Sequence, residues 1–265
     1  MLKTERMDRV RAALRAQGLT QMIVCDPKSV WYLTGVAVEP YERLLALYLP
    51  TEGEPVLFLN RLFNVPEPPC RTVWHTDTDK PVAQIAEVVD AGRPLGIDKE
   101  WPAKFLIPLM ETHPGMQVVL SSDCVDDCRA CKDAEEQTLM REASRINDAV
   151  NEAAKHYIKA GMTEREVAEF IDAHFRAHGC EWPSFTTIVS FGANAADPHH
   201  EPDDTVLKEG DCVLFDMGCV KSRYCSDMTR TWFCGQPTEK QAAVHDLVRR
   251  ANEAAEALIK PGVRL

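Results

Sequence analysis

The sequence predicts an α/β domain followed by an α+β domain. Three features point to this: short apolar runs alternating with helical periodicity in the first half, a switch near Asp133 to long amphipathic helices, and strand-like stretches after those helices. At 265 residues the chain suits one large domain or two of ordinary size. Hydrophobic residues make up 45% and charged residues 27%, which excludes wholesale disorder. A formal charge of −11 offers no electrostatic footprint for nucleic acid. No apolar run approaches the roughly 18 residues of a membrane span. The N-terminal stretch MLKTERMDRVRAALRAQG lacks the apolar core of a signal peptide. A cytoplasmic protein with neither nucleic-acid nor membrane partners is therefore expected.

In the first half, residues 4–17 set Met7, Val10, Ala13 and Leu14 at helical spacing, and Gly18 ends the helix. The apolar run 22–25 lies between turn residues and predicts a buried strand. Asp26-Pro27 opens a short helix through Val30 and Leu33 to Gly35. Strands over 44–49 and 56–59 bracket the turn TEGEP. A helix over 82–90, a strand over 95–97, a helix over 102–110 and a strand over 118–120 follow, so a mainly parallel or mixed sheet is predicted.

The second half opens on Asp133 and Glu136, spaced as a capping box, before Leu139, Ala143, Ile146, Val150, Ala153 and Tyr157 at helical steps. Thr163 with Glu166 predicts a second such helix through Val167, Ile171 and Phe175. Strands are predicted over 185–191, 211–217 and 223–234, and Thr238 with Gln241 opens a third helix running to Lys260. The expected domains are 1–130 and 134–265.

The 10 cysteines are scattered, and without a signal peptide they read as reduced thiols. Cys124, Cys128 and Cys131 lack a fourth ligand at zinc-finger spacing and sit in an acidic helical connector. His174 and His178 lie one helical turn apart but without the Glu of an H-E-x-x-H pattern, so a helix surface is the better reading.

The chemistry concentrates in two places. GDCVLFDMG followed by YCSDMTRT reads as a hairpin with its tip at Lys221-Ser222, which sets Asp216 directly opposite Asp227. Side chains there stand about 5 Å apart on one face, where like charges repel unless a cation lies between them. Oxygen donors suit hard divalent ions. The residues alone leave open that each Asp is a solvated turn or edge residue, or that Arg230 neutralises one. The second place is the Gly/Asn/Pro-rich loop SFGANAADPHHEPD, where His199 or His200 could bind metal, carry a proton or bind substrate. Glu201, Asp203 and Asp204 read there as solvated charges.

These residues resemble the creatinase/prolidase/methionine aminopeptidase family, the pita-bread metallopeptidases. IVSFGANAADPHH resembles its substrate-loop signature, while GDCVLFDMG and YCSDMTRTWF resemble the strands carrying its first two metal-binding aspartates. RMDRVRAALRAQGLTQMIVCDPKSVWYLTGV is similar to the N-terminal domain of the prolidase and Xaa-Pro aminopeptidase branch, and CKDAEEQTLMREASRINDAV to the join between domains. The resemblance implies a creatinase-N-like α/β domain before an α+β pita-bread catalytic domain. It implies a metal-dependent exopeptidase acting on proline-containing peptides, with a water shared by two divalent ions as nucleophile. Manganese is the first expectation, with cobalt, zinc or iron as alternatives.

By the same resemblance Asp216 would chelate one ion, Asp227 would bridge both, and His199 would contact substrate as the catalytic loop histidine. Relatives are commonly homodimers, so a homodimer is implied too. Family members continue past this point, and their later strands add a His and two Glu to the metal site. The chain is thus expected to be truncated and, by itself, inactive. Two other readings remain: a non-catalytic pita-bread homologue serving as a binding module, and a metal-free creatinase-type amidinohydrolase. The creatinase branch typically lacks the two aspartates.

Overall fold

In the computed structural model, which describes residues 2–264, the chain divides into Met1–Lys132 and Asp133–Leu265. Helix α1 (Thr4–Ala16) leads into β1 (Gln21–Val24). The Asp26 side chain then caps α2 (Pro27–Thr34), accepting from the backbone N–H of Ser29 at 2.9 Å, and Gly35 ends it in the left-handed region at φ 75. The hairpin of β2 (Ala46–Pro50) and β3 (Val56–Asn60) forms as its sequence predicts.

Then come β4 (Arg71–His75), α3 (Pro81–Ala86), β5 (Leu95–Ile97), α4 (Ala103–Thr112), β6 (Val118–Leu120) and α5 (Asp123–Ala130). Helix α3 stops four residues short of the expected 82–90. Strand β4 has no clear sequence signal, because RTVWH is a half-buried edge segment with polar ends.

The six strands run in the order β4-β3-β2-β1-β5-β6. Only β2 opposes the rest, since β1, β5 and β6 are mutually parallel and β3 pairs parallel with β4. Alternation assigns the two faces: Met22, Val24, Leu47, Leu49, Leu57 and Leu59 join one core with residues of α1, α2 and α5. Ile23, Ala46, Tyr48, Val56 and Phe58 join the other, with residues of α3 and α4.

The second unit begins with α6 (Ala134–Tyr157) and α7 (Glu164–Ala177), each opened by the predicted capping box. Strands β8 (Ile188–Phe191), β9 (Cys212–Met217) and β12 (Met228–Phe233) form an antiparallel sheet in the order β12-β9-β8. A smaller sheet joins β7 (Trp182–Pro183), β10 (Cys219–Lys221) and β11 (Tyr224–Cys225) in the order β11-β10-β7. The predicted strand over 211–217 forms as β9, whereas the stretch predicted as one strand over 223–234 is broken into β11 and β12. Val150, Val167, Ile171 and Phe175 pack with Val189, Phe191, Val213, Phe215 and Met217 in this unit's core. Helix α8 (Glu239–Leu258) buries no residue, and Val244, Leu247, Val248 and Leu258 are all exposed. Among the described residues no helix is long and apolar enough to cross a membrane.

All ten cysteines are unpaired, and Cys124 and Cys128 turn into the core. Burial pushes the Cys180 thiol up to about 12 and that of Cys124 up to about 11. Iodoacetamide near neutral pH is therefore expected to label the exposed Cys131 and Cys225 first, with Cys124 and Cys180 protected until urea unfolds the protein. Peptide mapping after timed labelling checks this. Equal rates at Cys180 and Cys225 would contradict the burial.

Candidate functional site

Strand β9 alternates strictly: Val213, Phe215 and Met217 are buried, while Leu214 and Asp216 on the other face are half-buried. Asp216 therefore faces away from the helices. Its cross-strand partners are Ile188 on β8 and Thr229 on β12. Phe215, Met217, Met228 and Trp232 all lie on the opposite face, so they do not wall the carboxylate. Arg230 is paired with Phe215, is exposed, and donates to the carbonyl of Thr229 at 2.8 Å, so it does not neutralise Asp216.

The hairpin register differs from expectation. Its two-residue turn is Ser222–Arg223, both at positive φ (50 and 67), and the tip is one residue later than Lys221-Ser222. Moving the tip by one shifts every pairing by two. Asp216 consequently pairs with Thr229, and the same register carried onward sets Asp227 against Gly218. The two aspartates are therefore not directly opposed; in an unbroken ladder they would be diagonal neighbours, with Cα atoms about 7 Å apart. Their mutual repulsion is weaker than a direct pair would show.

The ladder breaks at this point. Gly218 and Ser226–Asp227 lie between the β9–β12 and β10–β11 pairings. The N–H of Cys219 donates to Ser226 Oγ at 3.0 Å, and Ser184 Oγ donates to the Ser226 carbonyl at 2.8 Å. Ser226 is buried while Asp227 is exposed.

The fit of a cation can be judged from Asp216 itself. Its Oδ1 is buried, and no protein donor reaches it. A buried carboxylate oxygen without a partner costs roughly 1–3 kcal/mol or more. A divalent ion held between it and Asp227 would remove that cost, and carboxylate oxygens suit such an ion. Among the described residues no third His, Cys, Asp or Glu forms a metal-type cluster with this pair.

The loop after β8 starts with a 3₁₀ turn, Gly192–Ala196, and carries both histidines. His199 is exposed, and its backbone N–H donates to Asp197 Oδ1 at 2.9 Å. His200 turns inward to Glu164 Oε2 at 2.7 Å. Asp203 is exposed, as its sequence reading expects; its Oδ1 accepts from the N–H of Thr205 at 2.7 Å, and bonds from Thr205 hold its carboxyl below the usual range.

Glu164, His200 and Asp203 form the one metal-type cluster among the described residues. Glu164 already accepts four hydrogen bonds, so its oxygens are committed to the protein. Sequence reading missed this residue. The available signal was a carboxylate on the apolar stripe of α7, since Glu164 precedes Val167, Ile171 and Phe175 at helical steps. His174 lies on α7 and His178 is its C-cap residue, each ring bonding a carbonyl one turn back.

Residues 138–265 match the metallopeptidase family M24, and residues 6–131 match the creatinase/prolidase N-terminal domain. An uncharacterized peptidase of Staphylococcus aureus is 34% identical over 253 residues, covering 91% of this chain and 70% of that protein. A counterpart from Staphylococcus epidermidis is 30% identical, with coverage of 97% and 74%. Among solved structures, a prolidase from Thermococcus sibiricus superposes with a TM-score of 0.89 at 29% identity, covering 99% of this chain and 74% of that one. The dipeptidase PepE of Mycobacterium ulcerans gives 0.86 at 30% identity, with coverage of 95% and 70%.

Proposed function

The chain belongs to metallopeptidase family M24, with a creatinase/prolidase N-terminal domain ahead of a pita-bread unit, and from that premise we propose that it hydrolyses Xaa-Pro bonds as a dipeptidase or aminopeptidase. Prolidases and dipeptidases among its structural relatives support the substrate class. The observation that carries the metal dependence is the buried Oδ1 of Asp216, which no protein donor reaches.

Asp216 and Asp227 are the residues that would hold a pair of divalent ions, manganese first. When bound, such ions polarise a carbonyl oxygen and lower the pKa of water. His199 stands exposed on its loop, free to meet the substrate carbonyl and donate a hydrogen bond as negative charge develops there. Ile188, Leu214 and Thr229 on the same face offer a partly apolar floor for a proline-containing peptide. The protein is proposed to work in the cytoplasm as a homodimer.

Two carboxylates are fewer donors than a hard ion takes. The 265-residue chain is therefore expected to bind Mn²⁺ weakly and to show no turnover by itself. The test is hydrolysis of Xaa-Pro dipeptides with added Mn²⁺ or Co²⁺ by the protein at its natural length, beside Asp227→Asn. A fall of at least about 100-fold is expected in the variant, given that metal-assisted attack supplies several kcal/mol. Unchanged turnover in Asp227→Asn would overturn the metal mechanism. Absence of bound metal and of turnover in the natural-length protein would favour the binding-module reading instead.

A further inference from the structure

Helix α7 opens with a carboxylate inside the protein: Glu164 is 0% exposed. Such a group is stable only when donors surround it. Its Oε1 accepts from the N–H of Phe191 at 2.7 Å and from Asn194 Nδ2 at 3.0 Å. Its Oε2 accepts from His200 Nε2 at 2.7 Å and from the N–H of Asp203 at 3.2 Å.

All four donors belong to a single segment. Phe191 is its first residue, Asn194 lies in the 3₁₀ turn, and His200 and Asp203 lie near its far end. The one carboxylate thus ties both ends of the loop together, and His199 sits between the tied points. Asn194 Nδ2 also reaches Thr205 Oγ1 at 3.1 Å, extending the tie past Asp203. With a carboxylate 2.7 Å away, His200 Nε2 carries the proton, so the Asn194 amide serves Glu164 and Thr205 rather than the ring.

We propose that Glu164 is a positioning residue: its buried carboxylate holds the 191–203 loop in one conformation and thereby sets where His199 is presented. The anchoring stands on the hydrogen bonds alone. Its consequence for catalysis rests on the role proposed for His199.

The deciding variant is Glu164→Gln, which keeps the shape but turns an amide NH₂ toward donors of the loop, leaving them without an acceptor. Amide hydrogen exchange on the 265-residue chain should show residues 191–205 exchanging at least about 30-fold faster, while α6 and β9 keep their rates. Glu166→Ala, which removes the capping bond from the Thr163 N–H on the same helix, serves as control and should leave the loop protected. Unchanged loop exchange in Glu164→Gln, or uniform loosening of the whole unit, would overturn the anchoring. If that variant does not fold, Asn194→Ala gives the same readout from the other partner.

In the natural-length protein, Glu164→Gln and His199→Ala should each lower kcat more than they raise KM. The double variant should be little worse than His199→Ala alone, as residues acting through one another are non-additive. Additive losses would overturn the positioning of His199 by Glu164. Full activity in His199→Ala would instead refute the role of His199 and leave the exchange result to judge the anchor.

Discussion

Gly218→Ala is expected to destabilise the second unit by about 3 kcal/mol or more, at the upper end of overpacking costs. A methyl group at this position would overlap the carbonyl oxygen of Ser226 and the Oγ of Ser184. The main obstacle is backbone, so no rotamer change clears it. Ser226 is also locked from its other side, because its Oγ accepts from the N–H of Cys219 and its N–H donates to the Cys219 carbonyl at 2.9 Å. Relief would require the two arms of the hairpin to part just before Asp227.

Gly210→Ala supplies the comparison. Gly210 has a positive φ of 87 but open space where a Cβ would go. Its replacement should cost only the left-handed strain, about 1–2 kcal/mol. Urea unfolding of both variants by circular dichroism tests the difference, and equal midpoints would refute the close approach at Gly218. Mn²⁺ binding should be lost in Gly218→Ala and retained in Gly210→Ala, because only the first displaces the residue before Asp227.

The contrast between these glycines shows where sequence reading reaches its limit. Capping boxes at Asp133, Thr163 and Thr238 are legible because both partners lie within four residues of chain. The hairpin that carries Asp216 and Asp227 on its two arms was legible. Its register was not: the turn Ser222–Arg223 takes positive φ without the Gly or Asn that signals it. Glu164 was hidden for a different reason. An acidic residue in a first helical turn is ordinary, and only the return of the 191–203 loop, distant in sequence, makes it a buried anchor. Edge strand β4 is defined by its pairing with β3 rather than by its own pattern.

Phe215→Ala is expected to cost about 3–5 kcal/mol, the range for a fully buried aromatic. Phe215 is 0% exposed on the central strand of its sheet, and its ring meets Trp232 in a T-shaped contact at 4.8 Å between centroids. Strands β8 and β12 hold β9 from both sides, so the backbone cannot sink into the cavity left behind. Trp232 lies on an edge strand and can lean inward, which favours the lower half of that range.

Leu214→Ala, one residue earlier, should cost only about 1–2 kcal/mol because that side chain is half-buried on the opposite face. Functional effects should run the other way. Leu214 flanks Asp216 on the proposed peptide floor, so its loss should raise KM for Xaa-Pro substrates. Phe215→Ala, below its unfolding transition, should leave KM nearly unchanged. Denaturation midpoints and, in the natural-length protein, kinetics of the same two variants decide the matter. Equal stability losses would refute the facing of β9, and with it the side of the sheet on which Asp216 stands.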